Sequence, residues 1–131
     1  MTDRIVQELA LLRSRFADLR FVETGQWILV PRYPFPPDWA VESGEVATQL
    51  PPPYPSTPPY GIYVRSGIRC RGMTPSNYCE TASSQPPFGG VWGVLSWQPG
   101  EGEWRPAADV SKGANLLNWF LGFADRFREG P

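Results

Sequence analysis

The sequence predicts an α+β fold with an N-terminal helix, an antiparallel meander of about four strands and a C-terminal helix. Apolar side chains recur at helical spacing near both ends of the chain. Between them lie short runs rich in β-branched and aromatic residues, and Gly and Pro separate these runs. The length of 131 residues fits one domain, which we expect to span residues 1–131.

Amphipathic helices are predicted at both ends of this domain. The first covers residues 3–19, with Thr2 or Asp3 as its cap. Its apolar stripe, expected to pack on the sheet, consists of Ile5, Leu9, Leu12, Phe16 and Leu19. The second covers residues 111–128, and its stripe consists of Leu116, Trp119, Phe120, Phe123 and Phe127.

The predicted strands are short and cover residues 20–23, 27–30, 45–50 and 61–64. Gly25 can take the positive φ that a tight turn between the first two needs. Residues 31–39 are rich in proline, which has no N–H to donate, so we expect no central strand there. Residues 65–90 lose periodicity and predict a long surface loop, which a short apolar run at residues 91–97 follows.

Composition excludes several classes of function. The net charge of -1 gives no surplus that would attract nucleic acid or an acidic membrane, so the expected partner is a protein or a small molecule. The chain has no histidine, which removes the commonest general base and metal ligand, and we expect no metal or cofactor. The lack of a long apolar run, together with the presence of only two cysteines, predicts a soluble, cytoplasmic protein with reduced thiols.

Two motifs stand out in this chain. The first is a proline-dense stretch between the third and fourth predicted strands, in which prolines restrict the backbone and a tyrosine ring can pack on the sheet. Its key residues are Pro51, Tyr54, Pro55, Pro58 and Pro59. The second motif is Trp104-Arg105-Pro106-Ala107, which precedes the C-terminal helix.

Both motifs, in this order, resemble signatures of ubiquitin-conjugating enzymes. The first resembles the strand-loop-strand signature of that family, and the second its Trp-x-Pro-Ala element, so Trp104 and Pro106 join the fold signature. Residues 31–39 look like a feature of the compact bacterial members found with ubiquitin-like conjugation genes. The resemblance implies a ubiquitin-conjugating-enzyme-like fold over nearly the whole chain, without the two later C-terminal helices of the family.

The same resemblance places a serine where the family carries its catalytic cysteine. Counting back from Trp104 by the family's spacing reaches Ser96, in the context Gly93-Val94-Leu95-Ser96. Upstream, the family has His-Pro-Asn, whose asparagine steadies the developing oxyanion. This chain has Gln85-Pro86-Pro87 there, so Gln85 is expected near the carbonyl oxygen.

Three interpretations of this site stay open. In the first, the chain is a transferase whose Ser96 carries a modifier as an oxyester, and a carboxylate takes the hydroxyl proton. The candidate carboxylates are Asp109 and Glu103, expected near the incoming nucleophile, and also Glu80 and Glu101. In the second, the domain is catalytically inactive and serves as a binding adaptor. In the third, the nucleophile is Cys79 or Cys70 in the long loop.

The resemblance also implies partners. Such domains work with a ubiquitin-like modifier, an adenylating activating enzyme and often a metal-dependent deconjugating peptidase encoded nearby. The sequence therefore predicts a component of a bacterial ubiquitin-like protein conjugation pathway.

Overall fold

A computed structural model describes residues 2–97, 99 and 102–129. It contains two helices and a six-stranded antiparallel sheet, and the α+β class predicted from the sequence is confirmed. In chain order the elements are α1 (Asp3–Arg13), β1 (Arg20–Val22), β2 (Trp27–Pro34), β3 (Ser43–Gln49), β4 (Ile62–Arg65), β5 (Tyr78–Cys79), β6 (Trp92–Leu95) and α2 (Leu116–Glu129). Within the described ranges, neither helix is long and apolar enough to cross a membrane.

Helix α1 is shorter than the sequence predicted. Thr2 caps it as expected, because its hydroxyl accepts a hydrogen bond from the Ile5 N–H at 3.2 Å. The helix ends at Arg13, and turns follow in place of the predicted last helical residues. Phe16 and Leu19 are nevertheless buried in the core. Their spacing matches a helix, but turns bring their side chains to the core.

Helix α2 begins at Leu116, after the predicted start at residue 111. Asn115 acts as its cap, since the Asn115 carboxamide oxygen accepts from the Asn118 N–H at 2.8 Å. Ahead of it, Asp109 accepts hydrogen bonds from Ser111 and holds a turn. Residues 111–115 therefore belong to the connection that leads into the helix.

The sheet has the strand order β1-β2-β3-β4-β6-β5. The first four strands form the predicted meander, but β5 and β6 extend it, so the expectation of about four strands was too low. Strand β6 lies inside the predicted apolar run 91–97. Strand β5 lies inside the predicted loop 65–90 and pairs Tyr78 with Leu95 and Cys79 with Val94. Two residues are too few to show a strand period, so pairing with β6 defines this strand.

Strand β2 continues through two prolines that the sequence had kept out of a central strand. Strand β1 pairs with β2 only as far as Leu29, so β2 beyond that point is an edge on one side. A bulge lies between Val30 and Tyr33, and Pro34 pairs with Ser43 of β3. Proline is tolerated at edges and bulges because no partner strand there needs the N–H that proline lacks.

The two faces of the sheet are covered differently. Alternate strand residues such as Ile28 and Val30 share the main core with the apolar stripes of both helices. Leu29, Ala47 and Trp92 form a smaller cluster, against which Tyr63 and Phe88 pack. Phe88 comes from the loop before β6, so the chain covers part of the second face with its own loop.

Candidate functional site

Ser96 lies directly after β6 and is half-buried. Its backbone N–H donates a hydrogen bond to the carbonyl oxygen of Asn77 at 2.8 Å. Because Asn77 immediately precedes β5, the pairing of β5 with β6 brings these two residues together. The long-range pairing of the sheet thus builds the surroundings of Ser96.

Gly93 in the Gly-x-x-Ser context has a structural role. A Cβ atom at this position would lie 2.6 Å from the Tyr78 ring and 2.7 Å from the carbonyl oxygen of Cys79. Only glycine lets β5 and the tyrosine ring approach β6 so closely. The glycine before Ser96 therefore permits the strand pairing that positions Asn77.

A small cavity of about 60 Å³ adjoins Ser96, and we call it the Ser96 cavity. The described residues that line it are Trp39, Pro75, Ser76, Asn77, Leu95, Ser96, Trp97, Phe123, Arg126 and Phe127. They come from β6, from the turn before β5, from α2 and from the segment after β2. Aromatic rings and polar groups from Ser76, Asn77, Ser96 and Arg126 thus meet around one small cavity.

Trp97, next to Ser96, is held by an aromatic cluster on α2. Its ring centroid lies 5.0 Å from that of Trp119 and 5.6 Å from that of Phe123. The guanidinium carbon of Arg126 lies 4.3 Å from the centroid of the Trp97 ring, in cation–π geometry. These contacts restrict the Trp97 side chain and place a positive charge at the cavity.

The structure does not bring Gln85 to Ser96, contrary to the expectation from the sequence. The Gln85 side chain lies at the opposite end of β6, where it donates to the Trp92 carbonyl at 3.0 Å and accepts from the Trp92 N–H at 2.8 Å. It also donates to the Ala82 carbonyl at 2.7 Å. These bonds to main-chain groups fix Gln85 in the loop before β6, away from Ser96.

Asn77 is the residue with a side-chain amide among the described residues that line the Ser96 cavity, and the sequence analysis missed it. Its backbone has a φ of 56°, a left-handed conformation that asparagine tolerates better than most residues. The local sequence predicts only a turn at Pro75-Ser76-Asn77 followed by a β-prone Tyr-Cys pair. That signal does not reveal the strand register, which is what places Asn77 beside Ser96.

The candidate carboxylates have different surroundings, and none of the described ones lines the Ser96 cavity. Glu103 lines a neighbouring groove that shares Trp97 with it. Asp109 is occupied in its own turn, where the Ser111 hydroxyl and N–H donate to it and lower its pKa. Glu80 is bound by Arg69, whose hydrogen bond lowers the pKa of Glu80. Glu101 lies outside the described residues. Of the described candidates, Glu103 is the one whose groove shares a lining residue with the Ser96 cavity.

The two thiols are both free and differ in exposure. Cys79 is exposed on β5, and its sulfur lies 3.2 Å from the Thr81 carbonyl oxygen. Cys70 is fully buried, and burial raises the pKa of its thiol despite the nearby Arg71. A buried thiol with a raised pKa is a poor nucleophile. Neither thiol is among the described residues that line the Ser96 cavity.

The two sequence motifs contact each other. The Trp104 indole N–H donates to the Pro55 carbonyl at 2.8 Å, and the rings of Tyr54 and Trp104 lie 6.1 Å apart. Tyr54 is buried, and Pro59 is buried nearby in the chain. Two segments that are far apart in sequence thus form one structural unit. This unit contains or adjoins the motif residues, which are Pro51, Tyr54, Pro55, Pro58, Pro59, Trp104 and Pro106.

A buried carboxylate lies beneath this unit. Glu8 on α1 is 1% exposed and accepts from the Tyr54 hydroxyl at 2.6 Å, from the Arg4 Nε at 2.8 Å and from the Leu116 N–H at 2.7 Å. Arg4 also donates to the carbonyl of Ala107. This network joins α1, the proline-dense loop, the segment before α2 and the first residue of α2.

Comparison of the chain with protein-family models, with curated proteins and with solved structures gave no match.

Proposed function

We propose that the chain is a ubiquitin-conjugating-enzyme-like component of a bacterial ubiquitin-like protein conjugation pathway, which carries the C-terminus of a modifier on Ser96 as an oxyester. Its partners would be the ubiquitin-like modifier and an adenylating activating enzyme. A deconjugating peptidase encoded nearby would reverse the modification. The proposal rests on the resemblance of the two motifs and on the surroundings of Ser96.

One observation carries the proposal. The two motifs that resemble the family contact each other through the Trp104–Pro55 hydrogen bond, and Ser96 follows a strand and lines a small cavity. This contact supports the interpretation that both motifs belong to one family signature. The spacing within that signature, counted back from Trp104, identifies Ser96.

The chemistry at Ser96 would be an acyl transfer. The Ser96 hydroxyl oxygen attacks the activated carbonyl of an acyl adenylate or a thioester, the ester bond forms, and the adenylate or the thiolate leaves. The hydroxyl proton passes to Glu103 or to solvent. Because a serine hydroxyl is a weak nucleophile, most of the driving force comes from the activated donor. In this proposal Asn77, a lining residue of the Ser96 cavity, donates its side-chain amide to the carbonyl oxygen.

Reconstitution tests this proposal. The protein is incubated with ATP and with the ubiquitin-like modifier and adenylating enzyme encoded in the same genome, and products are separated by electrophoresis. We expect an adduct that resists dithiothreitol and is released by hydroxylamine, as an oxyester should be. Ser96→Ala should abolish the adduct, and Ser96→Cys should make it sensitive to dithiothreitol. Ser76→Ala, which alters another serine of the same cavity, is the matched control and should retain it.

A second candidate function, the noncatalytic adaptor, is favoured by a different observation. Among the described residues that line the Ser96 cavity there is no carboxylate, and the chain has no histidine. A cavity without a general base suits binding better than proton transfer. Noncovalent binding of the modifier without any adduct under the same conditions would favour the adaptor. A dithiothreitol-sensitive adduct of the native chain that Cys79→Ala removes would instead favour the loop thiol.

A further inference from the structure

Strand β5 forms an open edge of the sheet. In the sheet order it comes last, so it pairs with β6 on one side and with none of the described strands on the other. The backbone N–H and C=O groups along such an edge can pair with a further strand. An extended peptide binds to an open edge by adding a strand, and its main-chain hydrogen bonds then provide affinity.

The pairing with β6 determines which backbone groups of β5 face the open edge. Tyr78 lies opposite Leu95 in the register of the two strands. One residue earlier, the Asn77 carbonyl accepts a hydrogen bond from the Ser96 N–H at 2.8 Å. Residues of an antiparallel strand alternate between those that bond to the neighbouring strand and those whose backbone groups face the other way. Asn77 bonds to the β6 side, so the N–H and C=O of Tyr78 face the open edge.

The Tyr78 side chain lies over β6 and not along the open edge. At Gly93 of β6, an added Cβ atom would lie 2.6 Å from the Tyr78 ring. The Tyr78 hydroxyl accepts a hydrogen bond from the Gly67 N–H at 3.2 Å. Outside the strand pairing, no described residue forms a backbone hydrogen bond with the N–H or C=O of Tyr78. An added strand can therefore pair with these two groups.

The direction of an added strand relates this edge to Ser96. Because β5 runs from Tyr78 to Cys79, a strand antiparallel to it runs toward Asn77. Its C-terminal end emerges beside Asn77, which lines the Ser96 cavity together with Pro75 and Ser76. The added strand would lie two strand spacings, or about 10 Å, from β6. About three extended residues span this separation.

Resting on the proposed function, we infer that the extended C-terminal tail of the modifier adds to the open edge of β5 as an antiparallel strand. The tail residue opposite Tyr78 exchanges two hydrogen bonds with its backbone, and about three further residues lead across the cavity to Ser96. The tail is the occupant that fits this edge, because the group that Ser96 esterifies is a C-terminus and the antiparallel direction delivers a C-terminus there. Tyr78 is thus a positioning residue that acts through its main chain.

A peptide series tests the inference on the full wild-type chain by calorimetric titration. The probe is a ten-residue peptide with the C-terminal sequence of the modifier used in the adduct assay, and each variant carries one methylated backbone nitrogen. Methylation removes an N–H, so it costs affinity where that N–H bonds to β5. We expect about tenfold weaker binding when the residue opposite Tyr78 is methylated, about the fourth from the C-terminus. Methylation of either neighbour should change little, because its N–H points away from β5.

Amide hydrogen exchange measured by NMR gives a second readout on the same complex. The Tyr78 N–H gains a hydrogen bond in the inferred complex, so saturating peptide should slow its exchange by about tenfold or more. The Cys79 N–H faces β6 by the same alternation and is the internal control. Its exchange should change much less.

Tyr78→Pro removes the N–H that faces the open edge, and Tyr78→Ala is its matched control because it keeps that N–H. Both variants lose the ring, so the difference between them reports the N–H. Proline is tolerated in an edge strand where the missing N–H would face outward. We expect Tyr78→Pro to bind the unmethylated peptide about tenfold more weakly than Tyr78→Ala.

Three results would overturn the inference. They are no binding of the peptide at millimolar concentration, equal effects of methylation at adjacent residues, and unchanged exchange of the Tyr78 N–H at saturation. The adduct assay reports separately on the proposed function. An adduct at Ser96 without the alternating methylation pattern would exclude strand addition and leave the proposed function standing. The alternating pattern without an adduct would support strand addition and exclude the oxyester.

Discussion

The Glu8 carboxylate accepts a hydrogen bond from the backbone N–H of Leu116 at 2.7 Å, which joins the first helix to the start of the last. The N-terminal N–H groups of a helix have no partner within the helix, so a buried acceptor there satisfies one of them. A negative charge at this end also interacts favourably with the helix dipole. Glu8 therefore does for α2 what a local capping residue usually does, but from the other end of the chain.

Glu8→Ala should destabilise the protein by about 3–5 kcal/mol, because it leaves the half-buried Arg4 guanidinium, the buried Tyr54 hydroxyl and the Leu116 N–H without their acceptor. Urea denaturation measures the free energy of unfolding. The exposed Glu42→Ala is the control and should change it by about 0.5 kcal/mol or less. Equal effects of the two substitutions would show that the network around Glu8 adds no stability.

Tyr54→Phe should lower stability at neutral pH by about 1–3 kcal/mol, since the Glu8 carboxylate loses a buried donor. Burial, with the Glu8 hydrogen bond second, raises the pKa of Tyr54 above its ordinary value. The unfolded chain therefore ionises first as pH rises, and the contribution of Tyr54 is fully present below pH ~10 and lost above it.

The stability difference between the wild-type chain and Tyr54→Phe should therefore shrink above pH ~10, by up to about 1.4 kcal/mol per pH unit. Urea denaturation of both proteins at several pH values between 8 and 11 measures this difference. Tyr60→Phe, at a tyrosine that is 52% exposed, is the control and should follow the wild type throughout. A gap that stays constant up to pH 11 would contradict the raised pKa.

Gly93→Ala should destabilise the protein by about 1–3 kcal/mol, because the added methyl group meets the Tyr78 ring and the Cys79 carbonyl. Gly122→Ala is a matched control in α2, where an added Cβ meets nothing within 4 Å. That change should stabilise by about 1 kcal/mol through higher helix propensity. Thermal and urea unfolding measure both, and a neutral Gly93→Ala would show that β5 can move away from β6 at little cost.

Gln85→Ala should cost about 1–2 kcal/mol of stability, since it breaks the hydrogen bonds to the backbone of Ala82 and Trp92. The fraction of folded protein that forms the Ser96 adduct should not change. Denaturation and the adduct assay, run on the same preparations, separate these effects. Loss of the adduct with unaltered stability would show that Gln85 does take part in adduct formation at Ser96.

The two thiols should react at very different rates with a maleimide. Cys79 is exposed and should be modified in minutes, whereas the fully buried Cys70, whose pKa burial raises, should react mainly when the protein unfolds. Mass spectrometry of timed samples counts the modified sites. Cys79→Ser should leave one slow thiol, and Cys70→Ser should leave one fast thiol. Similar rates in the folded protein would contradict the burial of Cys70.

Local patterns in the sequence were sufficient for the α+β class, both helices and the first four strands. Apolar spacing and β-propensity act over a few residues, so they can be recognised without knowledge of the fold. The same patterns predicted too long a helix for α1. Phe16 and Leu19 keep helical spacing in the sequence, but their side chains reach the core from turns. The position of Ser96 also came from the sequence, through the spacing of Trp104 in a motif that resembles a known family.

Tertiary structure alone decided which side chains surround Ser96. The register of β5 on β6 places Asn77 there and leaves Gln85 at the far end of β6, and the packing of α2 adds Arg126. Each of these depends on contacts between distant segments, which no local period encodes. The same holds for Glu8: on its helix it has the appearance of a surface residue, and only the fold buries it against Tyr54 and Leu116.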